Sequence, residues 1–162
     1  MIKKRDFIQL SASDLSNFLG CNHSTTLDKK VVNGQLSKPE WNNPHVQVMQ
    51  ERGFKHEESY LEFLKKKGLQ VIEIPENISP SEAHDLTIDS MKNGANIVTQ
   101  AVLRHGEWFG RADILIKVDS KSDLGDFSYE LMDTKLARET KAGAILQLCL
   151  YSELVSKILG RV

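Results

Sequence analysis

Three strand-like runs follow one another between residues 97 and 136, and two of them carry an aspartate inside an otherwise apolar stretch. They are expected at residues 97–103, 109–118 and 127–136. A turn at 105–107 separates the first two, and a polar, turn-rich stretch at 119–125 separates the last two. GRAD (110–113) places Asp113 in the second run, and MDTK (132–135) places Asp133 in the third. An ionised carboxylate is costly to bury without a partner. A single such residue is readily explained by a solvent-facing position. Two on consecutive strands are harder to dismiss, because adjacent strands can bring them together. Like charges at that separation repel and raise a pKa unless a cation lies between them. For carboxylate oxygens the natural cation is a hard divalent ion, Mg²⁺ or Mn²⁺. Lys135 lies two residues past Asp133, so in a strand its ammonium shares the face of that carboxylate. There it can orient a water and offset charge on a phosphate.

The remaining periodicities fit helices around a small sheet. SASD precedes Leu15, Phe18 and Leu19, predicting a short capped helix at 11–19 that ends near Gly20. Residues 33–44 are rich in Gly, Pro, Asn and Lys and read as a loop. Val48, Phe54, Tyr60, Leu61 and Leu64 suggest a long helix over 46–67, stopped by Gly68. A short strand is expected at 69–74, a helix introduced by SPSE at 79–93, and a last helix at 142–159 carrying Ile145, Leu148, Val155 and Leu159. The expected fold class is mixed α/β (α+β), with a small central sheet flanked by helices. The 162 residues suit a single domain over 1–162, or one domain of a longer chain.

The formal net charge is −1, so no strongly basic global field points to nucleic acid, although an acidic site neutralised by bound cations is compatible with it. Two cysteines, Cys21 and Cys149, make no disulfide framework and suggest a reducing cytoplasm. No run approaches the length of a membrane span, and no signal peptide is evident.

Other residues carry both a plain and a functional reading. His56 sits in a predicted helix. It is either a surface or half-buried histidine, the commoner case, or a metal ligand that biases a carboxylate site toward Mn²⁺. It has no H-x-x-x-H partner of the zinc-protease kind. His23, His45, His84 and His105 show no ligand spacing and read as structural or surface residues. Gln147 and Tyr151, four apart in the last helix, share a face. They form either a polar pair at the rim of the core or a pair directed at a cleft. Arg138 and Lys141 precede that helix and are either solvated charges or contacts to a nucleic-acid backbone.

Taken together, these segments resemble the RecB-like branch of the PD-(D/E)XK nuclease superfamily, marked in order by G-x-x-x-H-E, G-x-x-D, an acidic-x-K strand and Q-x-x-x-Y. The chain has Gly53 in RGFKHE, with one residue fewer between Gly and His, then GRAD, DTK and QLCLY (147–151). The likeness spans about residues 10–155, and SASDLSNFLGCNH, WFGRADIL and YELMDTKLAR resemble helicase-associated RecB family nucleases. The resemblance implies a restriction-endonuclease-like fold and metal-dependent hydrolysis of DNA. It further implies His56, Asp113, Asp133 and the Thr134 carbonyl as metal ligands, Lys135 as activator of the attacking water, and Gln147 and Tyr151 as positioning groups. A helicase domain or partner is implied as well. Some relatives, including CRISPR adaptation nucleases, hold a [4Fe–4S] cluster through one N-terminal and three C-terminal cysteines. Cys21 stands at the first of these positions, but four thiolates are needed and only Cys149 remains, so a cluster would require cysteines outside this chain. The plain reading of Cys21 is a buried thiol. Two other functions remain open: a DNA-binding module of the same fold that does not cut, and a metal-dependent hydrolase of a different substrate.

Overall fold

The computed structural model describes residues 1–39, 44–134 and 139–160. A two-residue pair, β1 (Ile2–Lys3) and β2 (Ile8–Gln9), comes first, followed by α1 (Ala12–Gly20), α2 (Asn22–Val32) and α3 (Pro44–Lys66). Then come β3 (Val71–Glu73), α4 (Pro80–Lys92), β4 (Ile97–His105), β5 (Trp108–Val118), β6 (Ser128–Met132) and α5 (Ala142–Ile158). The architecture is mixed α/β, with a four-stranded sheet in the order β3-β4-β5-β6 flanked by helices. β3 runs parallel to β4, whereas β4–β5 and β5–β6 are antiparallel.

Local chemistry explains most of the boundaries. Ser79 caps α4 by accepting from the Glu82 amide at 3.2 Å, and Pro80 occupies the first turn, where a missing N–H costs nothing. At the other end of α4 the buried Tyr129 hydroxyl donates to the Ala95 carbonyl at 2.7 Å, joining β6 to that turn. Burial pushes its pKa up to about 12. At α1 the Ser11 amide and hydroxyl both donate to Asp14 Oδ2 at 2.8 Å, and the N-terminal ammonium donates to Oδ1 at 2.7 Å. Burial works to raise the Asp14 pKa, but these hydrogen bonds and the ammonium charge outweigh it and hold the carboxyl below its ordinary 3.8.

The sheet has two unequal faces. On one, Met91 of α4 and Leu150, Leu154 and Val155 of α5 pack with Val98, Leu103, Leu115 and Tyr129. On the other, Leu64 of α3 packs with Ile97 and Ile114, bordered by Tyr60, Leu61, Val71 and Met132. Among the described residues, no helix is long and apolar enough to cross a membrane.

Several expectations change. Residues 22–32 form α2, which was not anticipated because NHSTTLDKKVV has no clear apolar stripe; it is held by packing beside α1, with Thr25 buried. The β1–β2 pair was also unanticipated, being too short for a periodic signal. β6 ends at Met132, so Asp133 and Thr134 lie beyond the strand rather than within one reaching residue 136. Val48 and Phe54, counted toward the core stripe of α3, are exposed at 48% and 70%, so among the described residues that stripe is covered only in the C-terminal half of the helix. Cys21, read as a buried thiol, is exposed at the α1–α2 junction, and Cys149 is exposed on α5.

Candidate functional site

The sheet registers align the two aspartates. The β5–β6 ladder pairs Val118 with Ser128 and runs to Ile114 with Met132. Continued one residue past its last pair, that register would bring Asp113 opposite Asp133, and Cβ atoms in a cross-strand pair lie about 5 Å apart. On the other side of Asp113, the β4–β5 register skips one pair between Thr99–Ile114 and Ala101–Ala112. The residue facing Asp113 at that gap is Gln100. The row across the sheet at this level is therefore Gln100, Asp113, Asp133.

The strand alternation slips at the same level. Val98 and Ala101, three apart, both belong to the α4–α5 core, and so do Ala112 and Leu115. Strict alternation would separate the members of each pair. Gln100 carries the slip with φ of 53°, the left-handed region. Its side-chain amide donates to Glu57 Oε1 of α3 at 2.8 Å. Arg111, two residues before Asp113, donates through Nη1 to the carbonyls of Gln100 at 3.2 Å and Ile74 at 3.3 Å. The arginine of GRAD thus stitches the slip in β4 to the end of β3.

The glycine of GRAD has a separate role. A Cβ on Gly110 would lie 2.1 Å from Tyr151 Cε1, so the bare backbone lets the α5 tyrosine ring settle on β5. Tyr151 is buried and Gln147 half-buried one turn before it, so the Q-x-x-x-Y pair lies where α5 meets GRAD. Lys141 is exposed at the N-cap of α5 and makes no side-chain capping bond. Lys135 and Arg138 lie outside the described residues.

The helical histidine is not gathered in. His56 is exposed, whereas its neighbour Glu57 meets the row through Gln100. Among the described residues, no group of three or more His, Cys, Asp and Glu side chains is arranged to hold a metal ion. Asp113 and Asp133 remain, at neighbouring register positions of β5 and the end of β6, and the Thr134 hydroxyl is buried with no hydrogen-bond partner of its own among the described residues. All are hard oxygen donors of the kind that suits Mg²⁺ or Mn²⁺. Cys21 and Cys149 are both free, exposed thiols and are too few for an iron–sulfur cluster, which would need cysteines outside this chain. His84, read as structural, meets the Val102 carbonyl through Nδ1 at 2.9 Å.

Glu57, Gln100 and Arg111 escaped the sequence reading. The one available signal was Glu57, directly after His56. Nothing local marks Gln100, whose importance comes from the register. No protein-family model, curated protein or solved structure matches the chain.

Proposed function

We propose that the chain is the catalytic domain of a Mg²⁺- or Mn²⁺-dependent deoxyribonuclease with a restriction-endonuclease-like fold, of the RecB-like PD-(D/E)XK kind. The observation that supports this reading is the β5–β6 register, which, continued one residue past its last pair, would bring Asp113 opposite Asp133. Two carboxylates so placed repel unless a cation is shared between them. A bound divalent ion would supply Lewis-acid polarisation of the phosphate and a water of lowered pKa. Asp113 and Asp133 would hold it, with the Thr134 carbonyl beside them.

Lys135 would orient the attacking water and offset charge on the phosphate. Tyr151, seated on Gly110, would fix the α5 side of the cleft, and Gln147 would hydrogen-bond substrate or the lysine. Lys141 and Arg138 would meet the DNA backbone. His56, exposed on α3 one residue before Glu57, would approach the metal from the helix side. DNA is the proposed partner, with a helicase domain or partner as the resemblance implies, in a reducing cytoplasm.

The test is cleavage of single- and double-stranded DNA with Mn²⁺ or Mg²⁺ by the parent, Asp113→Ala and Lys135→Ala. The parent is expected to cut, and each variant to lose on the order of a thousandfold or more in rate. Cutting that survives both substitutions sinks the assignment. Binding of DNA without cutting by the parent supports a non-catalytic module of the same fold instead.

A further inference from the structure

Gln100 is the one described residue other than glycine with a positive φ. A side-chain-bearing residue keeps that conformation only where its surroundings hold it, and such outliers concentrate at functional sites. Two bonds hold this one: Arg111 on its carbonyl and Glu57 on its side-chain amide. The strained backbone turns a strand residue toward α3 at the level of Asp113.

Among the described residues, the other contacts of α3 with the sheet lie further along the helix. Its apolar contacts with the sheet lie in its C-terminal half, through Tyr60, Leu61 and Leu64, and the Tyr60 hydroxyl reaches Met132 Sδ at 3.1 Å. Toward the N-terminus Met49 is exposed at 66% and Phe54 at 70%. Glu57 stands where the helix leaves the sheet. A hydrogen bond to a carboxylate is stronger than a neutral one, and partial burial strengthens it further.

We propose that the Glu57–Gln100 hydrogen bond is a positioning clamp that fixes α3 against β4 at the level of Asp113, and so sets where His56 stands relative to the two aspartates. The second half of this statement rests on the nuclease reading; the first does not. Gln100 and Glu57 act through the helix they hold.

Amide hydrogen exchange and Mn²⁺ titration of the whole chain test it. Gln100→Gly keeps the left-handed backbone without strain and deletes the donor. Glu57→Ala removes the acceptor from the helix side. In both variants, exchange over residues 53–61 is expected to quicken roughly tenfold while the β4–β5 amides keep their rates. Mn²⁺ affinity is expected to fall in both. The reciprocal pair, Glu57→Gln with Gln100→Glu, again has one amide donating to one carboxylate, and is expected to return α3 exchange to the parent rate. Unchanged exchange in the single variants, or quickening that the reciprocal pair does not reverse, overturns the clamp. Unchanged Mn²⁺ affinity in Gln100→Gly and Glu57→Ala overturns its role in placing His56. A parent that neither binds Mn²⁺ nor cuts DNA, with α3 exchange responding as described, leaves the clamp standing and removes the nuclease reading.

Discussion

On the α4–α5 side of the sheet, Val98, Leu103 and Leu115 are fully buried beneath Met91, Leu154 and Val155. On the α3 side, Ile97 and Ile114 are equally inaccessible, but they meet a helix that contributes, among the described residues, one buried side chain, Leu64, and leaves Phe54 and Met49 in solvent. The first face is a closed hydrophobic layer. The second is a narrow apolar seam joined, at Glu57 and Gln100, to the polar row that ends in the two aspartates. Apolar area removed from water supplies most of a domain's stability, so the α4–α5 side carries more of the fold and the α3 side depends more on its polar contact at Glu57.

The largest expected effect tests that asymmetry directly. Leu115→Ala is expected to cost about 3–5 kcal/mol and Leu64→Ala about 2 kcal/mol, read from urea unfolding at unchanged slope. Equal losses would mean that both faces support the fold alike. Gly110→Ala comes next: the added methyl would overlap the Tyr151 ring and should cost about 1–3 kcal/mol as an overpacked contact. Combined with Tyr151→Leu, which removes the overlapping ring edge, the glycine substitution should cost less than it does alone. A full loss in both backgrounds would show that α5 and GRAD are not coupled through that contact. The smallest effect lies at α1, which packs against α5. Because the Asp14 pKa is lowered in the folded protein, its ionised form favours folding above 3.8, and that contribution fades as pH falls through the lowered value. Asp14→Asn should therefore melt below the parent near neutral pH, with the gap closing in acid; a gap constant with pH would remove the ion pair from the account.

Much of the secondary structure was legible because its signals are local. Ser79 and Pro80 announced α4, and apolar runs bounded by turn residues announced β4 and β5. α2 was missed because its stability comes from lying beside α1 rather than from its own pattern. The stripe of α3 was legible as a helix, but whether Val48 and Phe54 would be covered was not, since that depends on where the sheet ends beneath it. At the site, Asp113 and Asp133 were readable as carboxylates in apolar company. Glu57 and Gln100 were not, because an ordinary glutamine in an apolar strand gives no sign of the residue opposite it.

By itself, the sequence determined the residue types and spacings: two aspartates within successive apolar runs, a glycine and an arginine just before the first, and a tyrosine four past a glutamine on the last helix. Those are properties of neighbours along the chain, where periods of two and 3.6 residues act. Only the tertiary structure decided the β5–β6 register that runs toward Asp113 and Asp133, the slip that turns Gln100 to Glu57, and the approach of Tyr151 to a bare Gly110. Register and close approach are settled by the packing of whole faces, and a shift of one residue would reverse every one of these pairings.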